Sequence, residues 1–154
     1  MKKAFILFFG TVILSLNSFS QTDKENIKKV CLAETQAFTD MDFTAWASYH
    51  VQSADEQIAW NNPDGSFSYE SGWEKISQNM KDYCKSGQKQ SLQLSSDNFA
   101  FVIHGSMAFV SFNRSSQTPD GKTTKLREYR TMLQSKGQWK ILAVQAYVDH
   151  LSGK

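Results

Sequence analysis

The chain has 154 residues, with 17 Lys+Arg against 15 Asp+Glu, a formal net charge of +2, and 40% hydrophobic residues. That is about one domain's worth of residues, enough for a single real core. A balance so close to zero gives no long-range field to hold nucleic acid or an acidic membrane, so neither is expected as a partner.

Lys2 and Lys3 precede an apolar run from Ala4 to Leu16, and Ser18-Phe19-Ser20 places small residues where a signal peptidase reads. Residues 1–20 are therefore read as a signal peptide cleaved before Gln21, and 21–154 as a single exported domain, periplasmic or secreted. The run falls short of the ~20 apolar residues that usually span a bilayer. No cysteine stands at the cleavage site for lipidation, so no membrane attachment is expected once the signal is removed. Loss of Lys2 and Lys3 takes Lys+Arg from 17 to 15 against 15 Asp+Glu, a formal charge of zero. Cys31 and Cys84 both lie in the exported part. An oxidising compartment permits a bridge between them, which would contribute ~2–4 kcal/mol; two packed thiols are the alternative.

Thr22-Asp23-Lys24-Glu25 has the spacing of a capping box and opens a predicted helix with Ile27, Val30, Cys31, Ala37, Phe38 and Met41 on one face. Asp42 is placed to cap a second, short helix from Phe43 to about His50, with Phe43, Trp46 and Ala47 inward. Two short β-prone runs flank Pro63-Asp64-Gly65, a turn signal. Ser71-Gly72-Trp73-Glu74 reads as another capping box, opening a third helix with Trp73, Ile76 and Met80 inward that runs out at Ser86-Gly87. From Ser91 onward the pattern is strand, with hairpin turns at His104-Gly105 and Lys136-Gly137 and a Pro119-Asp120-Gly121 turn between the hairpins. Helices segregated from strands imply an α+β fold, with helices laid over one face of a curved, mostly antiparallel sheet.

This order resembles the NTF2-like, or cystatin-like cone, superfamily, in its ketosteroid isomerase and SnoaL-like branch. The likeness is carried by Phe43-Thr44-Ala45-Trp46, the strand Ile58-Ala59-Trp60, Gly72-Trp73-Glu74, Gly105-Ser106-Met107-Ala108-Phe109-Val110 and Gly137-Gln138-Trp139-Lys140-Ile141. Among its members the chain is most similar to small exported domains of uncharacterised function. The resemblance implies a cone with three N-terminal helices on the sheet, a conical pocket between them, and a dimer.

Periodicity sorts the strands into faces. With a two-residue turn at Lys136-Gly137, Arg130 pairs with Ala143 and Glu128 with Gln145. One face then carries Leu126, Glu128, Arg130 and Met132 beside Trp139, Ile141, Ala143, Gln145 and Tyr147. A single slip would invert every side chain. In the preceding hairpin Phe99, Phe101, Ile103, Ala108, Val110 and Phe112 share one face, and Ala100, Val102, Met107, Phe109 and Ser111 the other. Helices cover only one apolar face, so a homodimer through the back of the sheet is expected.

Arg130, Glu128 and Gln145 among bulky apolar neighbours suggest a pocket wall in which arginine grips a carboxylate or carbonyl oxygen; a structural ion pair is the alternative. Trp46, Tyr49, Trp60 and Tyr147 complete the candidate ligand contacts. His50, His104 and His150 have no converging partners in sequence, so no metal or other cofactor is expected. Asn113-Arg114-Ser115 matches a glycosylation sequon. In ketosteroid isomerase-like sites a carboxylate moves the proton while a tyrosine and a protonated acid hold the oxyanion. Here the corresponding strand offers Asp55 and Glu56 at its outer start and Trp60 further in, so that pattern is poorly met. The leading expectation is a non-catalytic, exported binder of a small apolar or acidic molecule. The second is an isomerase, dehydratase or cyclase without metal, with Glu128, His50 or Asp55 as base. The third is a structural dimerisation module.

Overall fold

The computed structural model describes residues 10–62, 64–87, 89 and 91–148, with side chains from residue 21 onward. Three helices are present: α1 (Gly10–Thr39), α2 (Phe43–Ser48) and α3 (Trp73–Ser86). The strands are β1 (Gln57–Asn61), β2 (Phe67–Ser71), β3 (Gln93–His104), β4 (Met107–Gln117), β5 (Thr123–Ser135) and β6 (Gln138–Val148). They form one six-stranded sheet in the order β2-β1-β6-β5-β4-β3, antiparallel except where β1 runs parallel to β6. Among the described residues no helix is long and apolar enough to cross a membrane. Of the expected leader, residues 1–9 lie outside the described residues, as do Pro63 of the first turn and the third histidine, His150.

Two helix starts differ from expectation. Thr22 does not begin α1, whose backbone is already helical from Gly10. Asp23, three residues before Asn26, instead accepts a hydrogen bond from Trp139 Nε1 at 2.9 Å, pinning α1 to β6. Ser71 is the last residue of β2, and Gly72 takes the cap position of α3 at φ +85° with no side-chain cap. The turn is held by backbone instead: Gly72 N–H donates to Glu56 O at 2.8 Å and Trp73 N–H to Ser53 O at 3.0 Å. Asp42 does cap α2, accepting from Ala45 N–H at 2.9 Å.

The core divides in two. Ile27 and Cys31 of α1 pack on Ala108, Val110, Phe112, Met132 and Ile141, all from one face of the sheet. Ala37, Trp46, Ala47, Ile76 and Met80 form a second cluster where the three helices meet. Cys31 belongs to the first cluster and Cys84 borders the second; both are free thiols, so the bridge weighed from the sequence is not formed. Burial pushes the Cys31 thiol up to about 12, which leaves it an inert packed group. The opposite face of the sheet leaves Val102, Met107 and Phe109 exposed, as the alternation of the β3–β4 hairpin predicts, and Tyr147 with them.

The last hairpin contains the main correction. Lys136 (φ +50°) and Gly137 (φ +75°) do make a two-residue turn, and Met132 pairs with Ile141 as expected. Then Thr131 pairs with Ala143, so Leu142 is skipped as a β-bulge. Next to it, β6 is bonded along its other edge. Ile141 N–H donates to Tyr49 O at 2.8 Å and Ile141 O accepts from Val51 N–H at 2.9 Å, so β6 is drawn toward the α2–β1 segment before β1 joins it. Beyond the bulge Arg130 faces Val144 and Glu128 faces Ala146. Gln145 and Tyr147 therefore leave the face of Arg130 and stand on the exposed back.

The bulge fixes the order of two substitutions. Val144→Asp puts a charge beside the core and should cost a few kcal/mol, more than Gln145→Asp on the back. Urea denaturation of both variants reads the order directly, and the unbulged register would reverse it.

Candidate functional site

Between the inner face of the sheet and the helices lies a cavity of about 700 Å³. Its apolar wall includes Trp46, Ile58, Trp60, Ile76, Met80 and Val144, and its polar wall includes Glu34, Arg114, Glu128 and Arg130. A pocket of this size and lining suits a drug-sized molecule.

The polar wall is the cavity end of a chain of buried charges. Arg114 of β4 meets Glu128 Oε1 through Nε at 2.6 Å. Glu128 Oε2 lies 2.6 Å from Arg130 Nη2, which also donates to Glu34 Oε2 at 3.2 Å. Glu34 Oε1 accepts from Trp46 Nε1 at 2.8 Å and stands 3.6 Å from His50 Nε2. His50 Nδ1 is 2.5 Å from Glu56 Oε1, and Glu56 Oε2 accepts from Gln52 N–H at 2.9 Å. Glu34, His50, Glu56, Glu128 and Arg130 are all buried.

Glu34, His50 and Arg130 are each shifted by their neighbours toward the charged form. Burial alone would lift the Glu34 carboxyl, but Arg130 and then His50 outweigh it and hold it at about 2. Burial alone would strip the proton from His50; the Glu34 and Glu56 carboxylates outweigh that and push its pKa up. Arg130 is likewise driven upward, against its burial, by Glu128 and Glu34. The chain is thus alternately negative and positive from Glu56 to Arg114. Trp46 is fixed against it, stacked on Trp73 at 5.7 Å and tilted on His50 at 4.0 Å.

Several residues singled out in the sequence meet here and several do not. Glu128, Arg130, Trp46 and Trp60 line the cavity. His50 lies behind its wall, in contact with Glu34 rather than with the open volume. Tyr49 packs between the two core clusters, and its backbone serves Ile141. Gln145 and Tyr147 are on the back of the sheet, and Asp55 is exposed while its neighbour Glu56 is buried. Glu34 and Arg114 were missed, and both had a signal. Glu34 falls on the buried stripe of α1, three residues from Cys31 and three from Ala37. Arg114 continues the inward alternation of Ala108, Val110 and Phe112. Its sequon neighbour Asn113 points the other way and accepts from Arg127 Nη1 at 2.8 Å. Among the described residues no group of three or more His, Cys, Asp or Glu is arranged to hold a metal ion.

No family model matches the sequence, and no curated protein matches it. Solved structures do. The chain is similar to a cystatin-like-fold protein of unknown function from Nostoc punctiforme, at TM-score 0.66 and 14% identity over 84% of this chain and 93% of that one. It is similar to an NTF2-like protein of unknown function from Pseudomonas putida, at TM-score 0.68 and 12% identity over 87% and 93%. A candidate dehydratase of the NTF2-like family from Streptomyces avermitilis aligns at TM-score 0.66 and 16% identity over 84% and 98%. The chain therefore has the NTF2-like, cystatin-like α+β fold, with a curved six-stranded sheet.

The charge chain makes stability depend on pH in two windows. His50 gains partners on folding, so its contribution is complete below its unfolded pKa of about 6.5 and is lost as pH rises through the raised folded value. Glu34 is the reverse: its contribution is complete above about 4.3 and is lost as pH falls through about 2. Glu34→Gln leaves Arg130, His50 and the Trp46 N–H short of a buried anion and should cost ~3–5 kcal/mol. Urea midpoints measured across acid and alkaline pH should show both limbs in the wild type and a flattened acid limb in Glu34→Gln.

Proposed function

We propose that this chain is an exported, non-catalytic binding domain whose cavity takes a small apolar or acidic molecule. The observation that carries the reading is the open cavity of about 700 Å³, whose apolar body of Trp46, Ile58, Trp60, Ile76, Met80 and Val144 meets the two guanidiniums of Arg114 and Arg130 on one wall. A general base needs a pKa near the working pH. Glu34 is held far below that, and His50, its pKa pushed up by the Glu34 and Glu56 carboxylates against its burial, is set behind the wall. The wall is therefore better suited to orienting a ligand than to moving its protons. Trp46 and Trp60 border the open volume and leave it unfilled, which weighs against a purely structural module.

A second reading, an isomerase, dehydratase or other lyase without metal, rests on the similarity to the candidate dehydratase and on the contact from His50 to Glu34, which reaches the cavity. A bell-shaped pH–rate profile with enone or polyketide-like substrates, abolished in His50→Ala, would favour it over binding.

Native mass spectrometry and a thermal-shift panel test the binding reading. A bound molecule should raise the melting temperature of the wild type and lose that effect in Ala146→Trp, which fills the cavity from β6, opposite Glu128. A panel of apolar and acidic molecules that shifts neither protein removes the reading.

We also propose that the domain is a homodimer through the back of its sheet. Phe109, Tyr129 and Tyr147 form a continuous aromatic row there, with ring centroids 5.8 and 6.0 Å apart. Val102, Met107 and Phe109 are 68%, 48% and 44% exposed, an apolar patch that a second copy would cover. Sedimentation equilibrium should give a dimer for the wild type and a monomer for Phe109→Lys; a monomeric wild type at micromolar concentration rejects the pairing.

A further inference from the structure

The two guanidiniums of the cavity wall are not equivalent. Arg130 is spent on the protein: Nη2 serves both Glu34 and Glu128, its plane lies over the Phe112 ring at 5.5 Å, and its side chain is 4% exposed. Arg114 meets only Glu128, through Nε, and its side chain is 16% exposed. Its two terminal nitrogens bond to none of the described residues, and Arg114 lines the cavity.

The order of charges shows what this leaves open. His50 lies between Glu56 and Glu34, Glu34 between His50 and Arg130, Arg130 between Glu34 and Glu128, and Glu128 between Arg130 and Arg114. At the inner end Glu56 is closed by the Gln52 N–H. At the cavity end Arg114 has an anion on one side only. A planar fork with two free donors is the geometry that a carboxylate fills in a bidentate pair. A dianion fits less well, because Glu34, Glu70, Asp82 and Glu128 also line the cavity against only two guanidiniums.

We propose that Arg114 is the ligand anchor and that the ligand is an amphipathic monocarboxylate, its carboxylate paired with the terminal nitrogens of Arg114 and its apolar body along Ile58, Trp60 and Val144. This rests on the binding reading above. It differs from the sequence expectation, which gave the anchoring role to Arg130.

The test uses matched probes on the full exported chain: linear and aryl carboxylic acids, the alcohols of the same skeletons, and their monophosphates, each titrated by calorimetry. In the wild type the acid should bind at least about tenfold tighter than its alcohol, as expected for a charge-assisted pair, and tighter than its phosphate. Arg114→Gln should erase the preference of acid over alcohol while the alcohol still binds, and Arg114→Lys should restore part of it. The wild-type comparison stands even where a variant folds poorly. Acid and alcohol binding alike, or the phosphate binding tightest, overturns the anchor and leaves the binding reading intact. If no probe binds the wild type, both fall.

Discussion

The contact on which the rest of this structure turns is the one between Glu34 and Arg130. It joins the C-terminal part of the first helix to the fifth strand, 96 residues away in sequence, at 3.2 Å and out of water. An isolated ion in that position would carry a desolvation penalty of several kcal/mol. Neither residue is isolated. Arg130 shares a second carboxylate and Glu34 a histidine and an indole N–H, so two partners offset the penalty of Arg130 and three that of Glu34. The chain ends up with three carboxylates and three cations, and it adds no net charge to the interior.

That arrangement explains why the cavity wall is rigid. Its members come from α1, from the segment between α2 and β1, and from β4 and β5. A shift of any one of these would separate a buried charge from its partner. A wall held in this way would be formed before any ligand arrived, and the proposed binding would then lose little to the ordering of side chains. It also explains the tryptophans. Trp46 is clamped by its hydrogen bond to Glu34 and by rings on two sides, so it serves the core and the cavity together.

How legible this was in the sequence depends on the range of the interaction. Elements set by local chemistry were readable: the Asp42 cap, the Lys136-Gly137 turn, and the alternation that sends Val110 and Phe112 inward and Phe109 outward. Two capping boxes were not: Thr22 lies inside a helix that already runs from Gly10, and the β2–α3 turn is held by backbone bonds to Glu56 and Ser53. The charged chain was half readable. Glu128 and Arg130 announced themselves by sitting two apart among apolar residues. Glu34 and Glu56 each look like a solvated acid until their cationic partner is known, and those partners lie 96 and 6 residues away.

The cavity itself follows from one unpaired residue. Had β6 kept the regular ladder, Gln145 and Tyr147 would stand opposite Glu128 and beside Leu126, their side chains occupying the space next to Arg114. Skipping Leu142 exchanges them for Val144, Ala146 and Val148, a branched residue, a methyl and another branched residue. Small side chains at those positions leave open volume where the regular register would have packed it. Just before the slip, two backbone hydrogen bonds tie Ile141 to Tyr49 and Val51 on the other edge of β6. The same segment carries His50, so the neighbour of the bulge and a charge behind the cavity wall are placed by adjacent residues of one short stretch of chain.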